Sequence, residues 1–247
     1  MNEMIPARRQ TKLLASVLVF SLLELFAMSG HPQSAEAILQ KSRDTYAQMR
    51  SYADTGDVLV EYGTSSQDKH SFSTAFNRSP RGFRLEFNKQ AGDRYVIWAD
   101  PDAFHTWWKT TSQKTDYPNP NNTPAISMSG PTTVGVAEKI PTLLYGKAFE
   151  SAMLKINAPV LQGSEQVGGH TCDRISGQAF DLYAATGHKT NFRKVTVWID
   201  ADSFAVRKMV EEFDTSPGQR NRITTTFEPR SNPTLDTASF AFAPPAS

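Results

Sequence analysis

The sequence predicts a mainly β fold of the α+β class: long antiparallel meanders forming a sheet covered by a few helices. Three observations predict it. Most of the chain reads in period two, the pattern of half-buried strands. The strands follow one another with no helix between them over long stretches, so they form meanders rather than the parallel units of an α/β enzyme. The helical patterns are few, one near residue 35 and others near residue 140. A single sheet with an apolar inner face needs such covers.

Residues 1–29 read as a secretory leader. Arg8, Arg9 and Lys12 precede an apolar run from Leu13 to Met28, broken by Ser16, Ser21 and Glu24. Small residues at Ala27 and Ser29 suit a cut after Ser29, and Ala35 and Ala37 form a less favoured second site. The run is shorter than the roughly 20 residues a membrane span needs. The expected location is therefore the periplasm, with no stable membrane span after cleavage. Residues 30–247 are expected to form one domain.

The leader holds three basic and two acidic residues; removing them from the 26 and 25 of the whole chain leaves 23 of each sign. A neutral mature chain argues against nucleic acid as a partner. The chain has one cysteine, Cys172, so no intrachain disulfide can form. A lone cysteine in a strand is expected to be a small buried hydrophobe.

Ser34 is placed to N-cap a helix with Glu36 in its first turn. Ile38, Leu39, Tyr46 and Met49 recur at helical spacing, which predicts a helix from 35 to about 50. Period two then runs from Tyr52 to Tyr117, five or six strands. Phe83, Leu85 and Phe87 alternate with Arg84, Glu86 and Asn88 as the clearest of them. Turns are expected at Gly63–Gln67, Ser79–Gly82 and Gln90–Asp93. The prolines of Tyr117–Pro124 exclude regular structure. Val134–Leu144, broken by Pro141, and Ala148–Ile156 read as short helices. The interruption at about 118–158 is thus a loop with helical turns, of the kind that covers binding sites.

The sheet is expected to resume with Val160–Val167 and Thr171–Ser176 around the turn Gly168-Gly169. A polar connection, Asp181–Thr190, follows. The closing meander comprises Val195–Phe204, Val206–Phe213, Arg222–Phe227 and a short terminal strand over Phe240–Pro245. Trp98–Phe104 and Trp198–Phe204 share the spacing W-x-D-x-D-x-F. The expected reason is a strand–turn corner whose aspartate accepts from the turn backbone.

No motif for catalysis stands out. The histidines, His31, His70, His105, His170 and His188, show no metal-ligand spacing, and there is no nucleophile elbow, phosphate loop or dinucleotide fingerprint. Glu211 and Glu212 point to opposite sheet faces and cannot form a dyad. No metal, no cofactor and no enzymatic activity are expected; a hydrolase using His105 is the outside reading. The aromatic residues on successive strands are more telling. They line either a plain core or a pocket for an apolar ligand. The candidate lining residues are Phe83, Leu85, Phe87, Trp98, Phe104, Trp107, Val195, Val197 and Ile199.

An exported chain with a helix at Glu36–Met49, a long meander, a helical interruption, then W-I-D-x-D-x-F-x-V-R-K-M, T-T-T-F and F-x-F-x-P-P resembles periplasmic proteins of the LolA/LolB-like fold. It is most similar to their branch of predicted periplasmic proteins. The resemblance implies an incomplete antiparallel β-barrel, a curved sheet covered by a few helices, whose cavity in the lipoprotein carriers takes up acyl chains. A related arrangement serves envelope-stress sensing domains. It therefore implies a monomeric binder of a lipid or lipoprotein acyl chain, with an envelope sensor or scaffold for a protein partner as the alternative.

Overall fold

A computed structural model describes residues 33–100, 102–118, 126, 128–145, 155–183, 188–216 and 218–245, and the side chains of 181–191 are outside it. The expected leader lies outside the described residues. Helix α1, Ala35–Gln48, opens the described chain. Ser34 caps it, its Oγ accepting from Ala37 N at 3.2 Å. Ala35, Ile38, Leu39, Ser42 and Tyr46 form its buried face.

Six strands follow: β1 Ser51–Tyr62, β2 Ser66–Arg78, β3 Arg81–Lys89, β4 Arg94–Ala99, β5 Phe104–Trp108 and β6 Gln113–Tyr117. After the interruption come β7 Asn157–Val167, β8 His170–Tyr183, β9 His188–Asp200, β10 Val206–Ser216 and β11 Gln219–Phe227, with the two-residue β12 Arg230–Ser231. They form one 12-stranded sheet in the order β6-β5-β4-β3-β2-β1-β11-β10-β9-β8-β7, with β12 beside β1. All pairings are antiparallel. Among the described residues β1 makes the non-local pairings, with β11 and with β12, and the β1–β11 pairing joins the two meanders into one curved sheet. Among the described residues the outer strands β6 and β7 do not pair, so the barrel is open.

The inner face carries one apolar cluster. It runs from Phe76, Phe83 and Phe104 on one limb to Ile175, Val197 and Met209 on the other. Residues of α1 and of the interruption, including Ile126, Val136, Ile140 and Leu144, belong to the same cluster. Gly56 shows how tightly β1 is packed. A Cβ there would lie 2.2 Å from Thr226 O and 2.4 Å from Phe72 Cζ. The backbone oxygen cannot move aside, so Gly56→Ala is expected to cost about 2 kcal/mol in chemical denaturation. An unchanged midpoint would show that the strands can part there.

Three expectations are corrected. Pro141 does not break a helix: it stands in the first turn of α2, Ile140–Leu144, where its missing N–H has no intrahelical partner to lose. The polar connection expected over 181–190 is strand at both ends: β8 runs to Tyr183 and β9 begins at His188, with 184–187 outside the described residues. The closing Phe240–Pro245 is not a strand. Phe240 covers Gly82, and Phe242 packs on Trp98 and Trp107 at 4.9 and 5.4 Å between ring centroids. Pro244 and Pro245 have no N–H for a ladder, and these aromatic contacts take the ladder's place. The expected helix over Ala148–Ile156 lies almost wholly outside the described residues.

Candidate functional site

Strand alternation divides the predicted lining residues between two faces. On the inner face, Phe83 stands opposite Ala99, Leu85 opposite Ile97 and Phe87 opposite Tyr95. Phe104 continues the Phe83–Ala99 row. Val195, Val197 and Ile199 of β9 lie on the same face of the other limb, and all seven are fully buried. Trp98 and Trp107 do not join them. Each follows or precedes an inward residue by one position, so they point outward and pack with Val96 under Phe242. Phe104 and Trp107 are three apart on one strand, so parity alone separates them.

Residue 126 and the segment 128–145 cross this inner face and are held by polar contacts. At one limb the Tyr95 and Ser129 hydroxyls meet at 3.1 Å. Further along, the 3-10 turn Pro131–Thr133 leads to Lys139, at the N-terminal boundary of α2. Lys139 Nζ lies 3.1 Å from Glu211 Oε2 on β10, and Arg193 Nε of β9 donates to Glu211 Oε1 at 2.9 Å. At the end of α2, Arg78 Nη2 donates to Leu144 O at 2.8 Å and to Ala47 O at 3.0 Å, while its Nε donates to Met49 O at 3.0 Å. One guanidinium thus fastens both helices to the β2–β3 corner. The Tyr145 ring then meets Phe76, Phe83 and Phe104 at 5.4, 5.9 and 6.0 Å.

The ion cluster was not legible in the sequence. Glu211 is 9% exposed and Lys139 4%. Burial works to raise the Glu211 pKa, but the charges of Lys139 and Arg193 outweigh it and hold the carboxyl below its usual range. The available signal was parity: Glu211 shares the inward face of Met209, and an inward acid in an apolar strand demands a cation.

A second buried carboxyl lies under α1. Tyr52 Oη donates to Asp54 Oδ2 at 2.8 Å. The Tyr52 ring meets Tyr46 edge-on at 5.7 Å, and Val206 N donates to Tyr46 Oη at 3.0 Å. Burial pushes Asp54 up to about 6, against the opposing effect of Thr74 and Tyr52. Thr74 faces Asp54 across β2, close enough to favour its charged form, but Asp54 Oδ1 and Thr74 Oγ1 do not meet as a hydrogen bond.

On the outer face, both W-x-D-x-D-x-F corners have the expected build. Asp100 Oδ1 accepts from Asp102 N and Ala103 N at 2.9 and 2.8 Å. Asp200 Oδ1 accepts from Asp202 N and Ser203 N at 3.1 and 2.9 Å. His105 has Asp116 Oδ1 2.7 Å from Nδ1 and Asp100 Oδ2 2.8 Å from Nε2, and Trp98 stacks on it. Both ring nitrogens are taken up by carboxylates. Cys172 is buried, its thiol pushed up to about 11 by burial and by Asp200. Among the described residues no group of side chains could hold a metal ion.

The fold and the roofed inner face define an open antiparallel half-barrel with an apolar interior covered by helical segments. The chain belongs to the family described as predicted periplasmic protein (DUF2092), whose model matches residues 35–247. The periplasmic location expected from the leader is the one this family carries. No curated protein matches the chain. Among solved structures it is similar to the Mycobacterium tuberculosis lipoprotein LppX, at 13% identity over 82% of this chain and 97% of that one, with a TM-score of 0.47. It is also similar to a chain of the Pseudomonas aeruginosa MucA/MucB complex, at 14% identity over 85% of this chain and 61% of that one, with a TM-score of 0.45. A LolA superfamily protein from Nitrosomonas europaea is 10% identical over 85% of this chain and 98% of that one, with a TM-score of 0.36.

Proposed function

We propose that this periplasmic protein is a non-enzymatic carrier of an apolar ligand, a lipid or the acyl chain of a lipoprotein, bound on the inner face of the sheet. One observation carries the reading. The inner face is roofed by residue 126 and the segment 128–145, which are held to both limbs by discrete polar contacts in addition to apolar packing. A roof that must leave and return needs contacts that restore one register. The lining would be Phe83, Leu85, Phe87 and Phe104 on one limb and Val195, Val197 and Ile199 on the other. Ligand entry would exchange the apolar side chains of the roof for those of the ligand.

The test is mass spectrometry of the mature protein extracted gently from its own envelope, under native and denaturing conditions. A lipid-mass adduct released on denaturation is the expected result. A bare protein mass, together with no binding of a fluorescent acyl probe to the purified protein, would overturn the reading.

A further inference from the structure

Lys139 is the part of the roof that apolar packing does not explain. Its residue is 4% exposed, and its ion-pair partner is Glu211 Oε2 at 3.1 Å. That oxygen can take up one N–H of the ammonium. An ammonium group has three donors and no acceptor, and burial with two of them unused is costly. The surroundings are apolar. Glu211 stands across from Ile223 on β11 and Val195 on β9, with Met209 two positions earlier on the same face. Val136 and Ile140, on either side of Lys139 in the roof, belong to the same apolar cluster. A buried cation with unused donors therefore sits at one margin of a continuous apolar surface.

That arrangement matches an amphiphile with a charged head. We propose that Lys139 Nζ receives the anionic head group of the ligand, a carboxylate or phosphate carrying a long alkyl chain, while the chain lies along Val195, Val197 and Ile199. This inference rests on the apolar-ligand reading above and deepens it. An anion suits the position better than an alcohol, because it offers acceptors to every donor and adds a counter-charge in a low-dielectric setting. Glu211, itself held by Arg193 at 2.9 Å, aims the ammonium without saturating it.

The experiment compares three probes on the purified full chain: a long-chain fatty acid, its methyl ester and the alkyl phosphate of equal length. At neutral pH the acid or the phosphate is expected to bind about tenfold tighter than the ester, as one charge-assisted contact implies. Lys139→Met and Lys139→Gln should abolish that ratio, and Lys139→Arg should keep it. Two neutral variants are used so that one misfolded protein, seen by circular dichroism, does not end the test. The ratio of acid to ester, unlike affinity itself, does not move when a substitution merely loosens the roof. An ester bound as tightly as the acid, or a preference that survives in the neutral variants, would overturn the head-group site and leave the carrier reading standing. Failure of all three probes would overturn both. A preference for phosphate over carboxylate would point to a phospholipid source, and the reverse to a free fatty acid.

Discussion

Replacing Glu211 with alanine is expected to lower the unfolding free energy by about 3–5 kcal/mol, measured by urea denaturation at neutral pH. The carboxylate stands between Lys139 at 3.1 Å and Arg193 at 2.9 Å, and it is 9% exposed. Its removal leaves the Lys139 ammonium buried without its counter-charge. The net value of the intact cluster is much smaller, because burying its charges was costly in the first place. The double variant Lys139→Met with Glu211→Leu should therefore recover most of the loss. If the double variant is as unstable as the single one, the cluster stabilises through packing and the charge argument fails. The cluster also has an acid limit. The folded Glu211 pKa is depressed, so its contribution is fully present above the unfolded value of about 4.3 and is lost as pH falls through the lower folded value. Wild-type protein should lose stability below about pH 4 through this group, and Glu211→Ala should lack that component.

Why the sequence revealed the sheet but not this cluster follows from what periodicity encodes. Phe83, Leu85 and Phe87 alternate with polar neighbours, so the strand and its buried side are visible without any partner. The same parity shows that Glu211 and Glu212 diverge, and they do, Glu211 inward and Glu212 outward. Parity is silent about register between strands, so it could not align Trp98 with the outward row. Trp98 and Trp107 entered the candidate lining by their aromatic character, when their faces exclude them. The terminal F-x-F had the alternation of a strand, but its phenylalanines are held by Gly82 and the two tryptophans, which lie more than a hundred residues away in sequence. Lys139 had no local signal whatever. Its partner is on β10, and only the crossing of the roof brings the two together.

Asp54 supplies the second large effect, and its sign is opposite. The carboxyl is 3% exposed and accepts one hydrogen bond, from Tyr52. Burial raises its pKa from 3.8 to about 6. The folded value lies above the unfolded one, so the neutral form favours the folded state. The group's contribution is fully present below about pH 4 and is lost as pH rises through about 6, a loss of about 3 kcal/mol. Asp54→Asn keeps the acceptor for Tyr52, removes the charge and offers N–H donors beside Thr74 Oγ1, which has no partner. It should stabilise the protein by about 3 kcal/mol above pH 7 and by little near pH 4. Denaturation of both proteins across that range checks it. An asparagine variant that is no more stable at high pH would mean the carboxylate is satisfied where it stands. Because Asp54 lies in the Tyr46–Tyr52 contact that docks α1, high pH should loosen that helix, whereas low pH should loosen the roof at Glu211. The two titrations together set an alkaline limit, at Asp54, and an acid limit, at Glu211, on the closure of the inner face. On the carrier reading, ligand release should quicken as either limit is passed, with the alkaline arm removed by Asp54→Asn and the acid arm by Glu211→Ala.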